Sequence, residues 1–268
     1  MIGKGLIQLK KYLNFRINSK SRGGHGIHSP FVYDLYTKCI DTKVKSDLLH
    51  QIKALTKELK RDRCLIPISN FGAGSINLNN QNKTIGEIVE QTSTPHYKGG
   101  LLFRLVEYFK PTYIIELGTS LGISTAYLAA GNNKSKVISI EGDAILSELA
   151  KINLNKLGLN NVNVINGDFD SKLPEILNET ERIGLVFIDG NHTEEATIRY
   201  FKMLSKVADH DTLIIFDDIR WSIGMENAWN NICNDLNVSI SIDLFNCGLV
   251  FFRKGVVKQH FSLRYGPF

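Results

Sequence analysis

The spacing of hydrophobic positions changes near residue 110 of the 268-residue chain. Before that point apolar residues recur mainly at helical spacing, and Thr84-Ile85-Gly86-Glu87 has the form of a capping box at a helix start. Beyond it, short apolar runs alternate with longer amphipathic stretches. The pattern predicts helices over about 4–15, 30–40, 44–62 and 97–109, a loop over about 70–83, and repeated strand–helix units from residue 113 onward.

The apolar runs of the second part predict five strands, at 113–117, 136–141, 162–166, 184–189 and 211–216. Helices are predicted between them, at about 123–131, 143–157, 171–178 and 193–206. Such alternation indicates a parallel sheet covered by helices on both faces. The tail differs, because strands predicted at 238–244 and 249–253 are joined by only four residues, which permits only an antiparallel hairpin. We therefore predict an α/β fold with a Rossmann-like, seven-stranded, mostly parallel sheet, an antiparallel C-terminal hairpin and an N-terminal helical extension.

This pattern divides the chain into an extension, 1–110, that would act as a substrate lid or in oligomerisation, and a ligand-binding domain, 111–268. The extension carries 18 Lys and Arg residues against 8 Asp and Glu, whereas the second part carries 14 against 19. A basic surface suits nucleic acid or an acidic substrate, but lysines at helical spacing favour a solvated helix face.

Composition narrows the class of protein further. Hydrophobic residues make up 43% of the chain and charged residues 22%, as in globular domains with a sizeable core. Four cysteines without metal-ligand spacing indicate reduced thiols, and the N-terminus lacks the apolar segment of a signal peptide. No apolar run approaches the ~20 residues that a membrane span needs. These features predict a cytoplasmic protein with no membrane partner.

The most informative segment follows the first predicted strand. It is a tight turn whose glycines let the backbone approach a ligand closely, and it leads into a helix start. The acid at the strand end repels phosphate and attracts a cation, and the dinucleotide-binding pattern G-x-G-x-x-G is absent. Candidate ligand contacts in this segment are Glu116, Gly118, Thr119, Ser120, Gly122 and Ser124.

The next two strands also end in acidic residues. Glu141 suits a grip on two ribose hydroxyls, and Asp168, after Gly167, can accept a hydrogen bond from an exocyclic amine. Phe169 could then pack on an adenine. Each acid alone fits a solvated loop equally well, but acids at successive strand ends favour a nucleoside ligand.

The order E-x-G-x-x-x-G resembles motif I of class I S-adenosylmethionine-dependent methyltransferases, and five parallel strands with a hairpin match their seven-stranded sheet. Their cofactor carries an ammonium and a sulfonium and no phosphate, which suits Glu116. The resemblance implies that 111–268 is an S-adenosylmethionine-binding methyltransferase domain. An NAD-binding fold would share the ribose acid but not Glu116 before the turn.

A second acidic group follows the fourth and fifth strands. Asp189 begins the sequence Asp-Gly-Asn-His that ends in His192, and Asp217-Asp218 closes the fifth strand. Three carboxylates at adjacent strand ends repel one another unless a cation neutralises them, and Mg²⁺ prefers such oxygen ligands. Alternatively, one Asp caps the next helix, and His192 lies exposed at a helix start.

Residues 113–253 resemble metal-dependent O-methyltransferases related to catechol O-methyltransferase, and more closely the branch that includes macrolide sugar O-methyltransferases. The resemblance implies that Asp189, Asp217 and Asp218 hold Mg²⁺ or another divalent cation. It also implies that His192 is the base, with Asp189 in both the catalytic and the cofactor-binding groups. The catechol enzymes have Asp-Asn at 217–218 and a lysine base near 192, which argues against a catechol substrate.

The leading hypothesis is therefore a metal-assisted O-methyltransferase that acts on a small-molecule hydroxyl. The alternatives are an RNA methyltransferase and a non-catalytic S-adenosylmethionine-binding protein. The chain lacks the Asn/Asp-Pro-Pro-Tyr/Phe motif of nucleobase amine methylation, which argues against nucleic acid. Domains of this kind often dimerise through N-terminal helices, so a homodimer is an open expectation. Candidates for the acceptor pocket are His25, His28, His96, Tyr97, Trp221 and Met225.

Overall fold

A single large β-sheet organises the protein. The computed structural model describes residues 2–20, 23–44, 46–68 and 81–266. After a small antiparallel hairpin of β1 (Leu65–Ile68) and β2 (Gln81–Thr84), the strands are β3 (Tyr113–Leu117), β4 (Lys136–Glu141), β5 (Val162–Asn166), β6 (Leu185–Ile188), β7 (Leu213–Asp217), β8 (Ile240–Asp243), β9 (Cys247–Phe251) and β10 (Gln259–Ser262).

The sheet order across the described residues is β10-β8-β9-β7-β6-β3-β4-β5. Strands β3 to β7 run parallel, and β9 lies antiparallel between β7 and β8. The mostly parallel sheet and the C-terminal hairpin are thus confirmed. The count of seven strands was too low, because β10 pairs in parallel with β8 at the sheet edge. Its sequence, Gln-His-Phe-Ser, lacks the apolar run that marked the other strands.

The helices flank this sheet. They are α1 (Ile2–Asn18), α2 (Pro30–Leu35), α3 (Asp47–Arg61), α4 (Ile85–Thr92), α5 (His96–Phe109), α6 (Ile123–Gly131), α7 (Ala144–Lys156), α8 (Phe169–Glu179), α9 (Glu194–Ser205) and α10 (Ile223–Asn234). A π-helical segment, Tyr36–Ile40, continues α2. The predicted capping box at Thr84 is present, with its side chain and that of Glu87 exchanging hydrogen bonds with backbone N–H groups. The predicted loop over 70–83 falls largely outside the described residues.

Two hydrophobic cores lie on opposite faces of the sheet. Neighbouring strand residues alternate between them, so that Ile114 and Phe187 join one core while Ile115 and Val186 join the other. The first core also contains apolar residues of α2 to α5, so the N-terminal helices share it with the sheet. The division of the chain into an extension, 1–110, and a ligand-binding domain, 111–268, with separate roles stays a prediction.

Arg104 of α5 connects distant parts of the chain. Its side chain is buried and donates hydrogen bonds to the carbonyls of Cys39 (2.7 Å) and Ile40 (3.3 Å), at the end of the π-helical segment. It also donates to the hydroxyl of Tyr265 at 3.2 Å, and that hydroxyl donates to the carbonyl oxygen of Tyr97. The guanidinium therefore satisfies carbonyls that the helix end leaves without partners.

The four cysteines are unpaired, as the sequence predicted. Among the described residues, no helix has both the length and the apolar character needed to cross a membrane.

We expect Arg104→Met to lower the free energy of unfolding by about 2–3 kcal/mol, because it leaves buried carbonyls without donors. Urea denaturation at neutral pH measures the change. Arg182→Met is the control, since Arg182 is exposed and pairs with Asp209 and Asp211 at the surface. Equal losses for the two variants would contradict the capping role.

The side chain of Glu116, in β3, lies inside the protein. Glu116 is fully buried, and its Oε2 accepts hydrogen bonds from Thr125 Oγ1 (2.5 Å) and Ser139 Oγ (2.6 Å). Burial raises the pKa of Glu116 to about 7, although hydrogen bonding with Ser139, Thr125 and Ser124 acts to lower it. The protonated form is therefore favoured in the folded state over much of the acidic range.

This raised pKa predicts a pH dependence of stability. The folded protein holds the Glu116 proton more tightly than the unfolded chain, whose Glu pKa is about 4.3, so the stabilisation is complete below about pH 4 and is lost as pH rises to about 7. Between those limits the free energy of unfolding of the wild type should fall by on the order of 1–3 kcal/mol relative to that of Glu116→Gln. Denaturation across pH 4–8 measures it, with exposed Glu148→Gln as control. Parallel curves for wild type and Glu116→Gln would refute it.

Candidate active site

A cleft of about 850 Å³ opens at the carboxyl ends of β3 to β7. This volume lies within the range of small-molecule sites, and the position is the one where open α/β sheets bind ligands. The helix α5 also contributes to its wall, through Tyr97 and Lys98. The cleft is therefore shared by the sheet and by the last helix of the N-terminal part.

The turn after β3 forms the centre of the cleft. Gly118 has a φ of 103°, and a Cβ there would lie 2.4 Å from the carbonyl oxygen of Asp189. Only glycine permits this approach between the turn and the end of β6. The N–H of Ser120 donates to Glu141 Oε2 at 2.7 Å, which ties the turn to the end of β4.

Most predicted cofactor residues line this cleft. Those that do are Gly118, Thr119, Ser120, Ser124, Glu141, Gly167, Asp168, Phe169 and Asp189. Gly122 and Glu116 do not line it. Gly122 instead caps α6 with a φ of 81°, and Glu116 lies beneath the turn among hydroxyl groups. The side chain that was expected to attract a cation from the cleft is thus enclosed by the protein.

Glu141 is oriented by the backbone around it. Its Oε2 accepts from the N–H of Ser120 and its Oε1 from the N–H of Asp143, at 2.7 and 3.0 Å. Burial raises the pKa of Glu141, and these backbone hydrogen bonds oppose the rise. Each carboxylate oxygen keeps acceptor capacity toward the cleft.

The end of β5 places two residues at the other side of the cleft. Asp168 caps α8, accepting from the N–H and the hydroxyl of Ser171, and these bonds lower its pKa. Phe169 packs edge-to-face on Tyr200, with ring centroids 5.8 Å apart. A helix cap was the alternative predicted for Asp217 or Asp218, but the N-cap of α10 is Ser222, and the strand-end acid that caps a helix is Asp168.

Three carboxyl groups, Asp189, Asp217 and Asp218, form an acidic cluster at the ends of β6 and β7. Burial, and next the charge of Asp217, raise the pKa values of Asp189 and Asp218. At Asp189, hydrogen bonding with Asp217 adds to the rise of the pKa, and the charge of Lys98 opposes it. The strand ends thus bring the three predicted residues together.

A lysine lies against this acidic cluster. Lys98 Nζ is 2.7 Å from both carboxylate oxygens of Asp217 and 3.7 Å from Asp218 Oδ1. The lysine side chain is only 9% exposed. Burial alone would lower the pKa of Lys98, but the charges of Asp217, Asp218 and Asp189 raise it well above its usual value. The ammonium is therefore held in its charged form.

His192 faces the same region. Its Nε2 lies 3.5 Å from Asp189 Oδ1, and the side chain is 23% exposed. Three residues near this region have left-handed backbone conformations: Asn191 (φ 52°), Asp218 (φ 50°) and Ser120 in the turn after β3 (φ 47°). Left-handed backbone at non-glycine residues is uncommon, and all three residues line the cleft.

The arrangement does not fit a divalent ion. Among the described residues, no group of three or more His, Cys, Asp and Glu side chains is arranged to hold one. Both oxygens of Asp217 already accept from the ammonium of Lys98, where the sequence predicted a metal. The nucleoside part of the prediction fits better, because Gly118 leaves room at the turn and Glu141 points an acceptor into the cleft.

Lys98 was not predicted from the sequence as a site residue. A signal was present, since Lys98 shares one helical face with Leu102 and Leu105, which are fully buried. A lysine on a buried face requires an acidic partner.

Among the acceptor-pocket candidates, only Tyr97 and Trp221 line the cleft.

Comparison with known proteins agrees with this geometry. Residues 115–219 match the family model described as a methyltransferase domain. Curated protein sequences give no significant match to the chain.

Solved structures of similar fold include an O-methyltransferase from Bacillus cereus in complex with S-adenosylhomocysteine, at 21% identity, a TM-score of 0.56 and coverage of 79% of this chain and 93% of that one. A methyltransferase from Podospora anserina bound to S-adenosylhomocysteine is 13% identical, with a TM-score of 0.58 and coverage of 80% of this chain and 91% of that one. A third structure is the O-methyltransferase TomG from Streptomyces achromogenes, involved in tomaymycin synthesis and solved with S-adenosylmethionine. It is 16% identical, with a TM-score of 0.54 and coverage of 83% of this chain and 96% of that one. Residues 115–219 of this chain are thus similar to a methyltransferase domain, and the chain has the fold of these methyltransferases.

Proposed function

We propose that this protein transfers the methyl group of S-adenosylmethionine to a hydroxyl of a small molecule. The observation that carries the proposal is the contact between the two halves of the cleft at Gly118 and Asp189. On one side lie the turn and Glu141, which suit a nucleoside. On the other lie the acidic cluster and His192, which suit proton transfer, so donor and acceptor would meet at one place.

The cofactor side depends on acceptors held by backbone N–H groups. Glu141 is positioned by Ser120 and Asp143 before any ligand arrives, so its oxygens can receive two ribose hydroxyls without reorganisation. Phe169, packed on Tyr200, offers an apolar surface for a base. When bound, the cofactor supplies a methyl group on a positively charged sulfur.

The acceptor side needs to position a hydroxyl and remove its proton. Holding nucleophile and methyl in line accounts for much of the acceleration in such displacements. His192 lies beside Asp189 in the cleft wall, within reach of a bound hydroxyl. Its imidazole would take the proton, a role worth roughly 10²- to 10⁴-fold in rate. We do not extend the proposal to a divalent ion, because Lys98 already neutralises Asp217.

Glu141→Gln should weaken the binding of S-adenosylhomocysteine by about 1–3 kcal/mol, because charge-assisted hydrogen bonds to the ribose become neutral ones. Titration calorimetry with S-adenosylhomocysteine and with NAD measures this. Glu148→Gln, an exposed site paired with Lys151, should bind like the wild type. Tight binding of NAD with none of S-adenosylhomocysteine would overturn the cofactor assignment.

His192→Ala should lower the turnover number by roughly 10²- to 10⁴-fold while cofactor binding stays unchanged, because the side chain acts on the acceptor. Release of S-adenosylhomocysteine over a panel of phenols, sugars and hydroxy acids measures turnover. His210→Ala is the control, since His210 is exposed and lies beside Asp211, away from the cleft.

Two results would refute the proposed function. Methylation of RNA with no small-molecule acceptor in the panel would favour an RNA methyltransferase. Cofactor binding without any transfer would favour a binding protein.

A further inference from the structure

The acidic cluster already contains a cation that belongs to the chain. Lys98 Nζ bridges the two oxygens of Asp217 at 2.7 Å each and lies 3.7 Å from Asp218. Asp189, the third member, carries the electrostatic influence of the same ammonium. One positive group thus lies against Asp217 and Asp218 from the side of α5, and its charge also acts on Asp189.

The ammonium and a divalent ion would compete for the same oxygens. Mg²⁺ binds carboxylate oxygens at about 2.0–2.1 Å and requires near-octahedral geometry. A doubly charged ion on Asp217 would stand within a few ångströms of the lysine charge, at a site with little water to screen the repulsion. Metal binding would therefore require Lys98 to leave Asp217.

The packing of α5 opposes that movement. A Cβ at Gly99 would lie 2.3 Å from the ring of Tyr127, so α5 approaches α6 as closely as a glycine allows. The next turn of the buried face carries Leu102, which is 1% exposed. The Lys98 side chain starts from this tightly packed helix and is itself only 9% exposed, with its ammonium against Asp217 and Asp218.

We propose that Lys98 takes the place of a divalent cation in this site, so that the acidic end of the cleft is completed by the protein's own ammonium. The inference rests on the proposed function only for its meaning in catalysis. As a statement about the site, it says that the folded protein binds no divalent ion at Asp189, Asp217 and Asp218 while Lys98 is present. Lys98 is a positioning residue for Asp217 in this scheme.

Binding of Mn²⁺ alone, followed by electron paramagnetic resonance, tests the inference without any methyl acceptor. The wild type should leave Mn²⁺ free at millimolar concentration. Lys98→Met removes the charge but keeps a long apolar side chain, and it should bind one Mn²⁺ at least tenfold more tightly than the wild type. The double variant Lys98→Met/Asp217→Asn should lose that gain.

Lys83→Met is the matched control, because Lys83 also lines the cleft but hydrogen-bonds the neutral Gln91. It should bind no Mn²⁺. Titration of each variant with S-adenosylhomocysteine reports whether the cleft is intact, and Lys98→Gln replaces the methionine variant if that one fails to fold.

Stoichiometric Mn²⁺ binding by the wild type, lost in Asp217→Asn, would overturn the inference and restore the metal site. Absence of a gain in both folded Lys98 variants would also overturn it. Neither result depends on methyl transfer, so failure of the proposed function would show separately, in the acceptor panel.

Discussion

The ion pair between Lys98 and Asp217 is the interaction on which the rest of the cleft depends. Both side chains are nearly inaccessible to water, so each would carry a heavy desolvation cost without the other. The pair joins α5 to the end of β7. It thereby holds the last N-terminal helix over the carboxyl ends of the strands, where the turn after β3, the acidic cluster and His192 lie.

The sheet could be predicted from the sequence because its strands are buried on both faces. Runs such as Tyr113–Leu117 and Leu213–Asp217 are almost continuously apolar, and turn residues bound them. Strand β10 and the hairpin of β1 and β2 were missed for the opposite reason. All three are only four residues long; β2 and β10 carry polar residues, and β1 contains a proline, so their pairing is decided by neighbours that the local pattern does not reveal.

The same contrast applies to the site. In a parallel sheet the carboxyl ends of the strands lie side by side, and this rule correctly predicted that Asp189 and Asp217 lie together at the ends of β6 and β7. It could not tell which way a side chain at a strand end points. Glu116 faces Thr125 and Ser139 beneath the turn instead of the cleft. Lys98 lies 119 residues from its partner in the chain, so no local spacing could have paired them.

The hydrogen bond between Arg104 and Tyr265 spans 161 residues of sequence. During synthesis the ribosome releases α5 long before it makes Tyr265, whose hydroxyl also contacts Tyr97, the neighbour of Lys98. The Arg104 guanidinium therefore has all of its partners only when the residues after β10 have been made. The polar surroundings of α5 next to the cleft are therefore completed by a residue that follows every strand of the sheet in the chain.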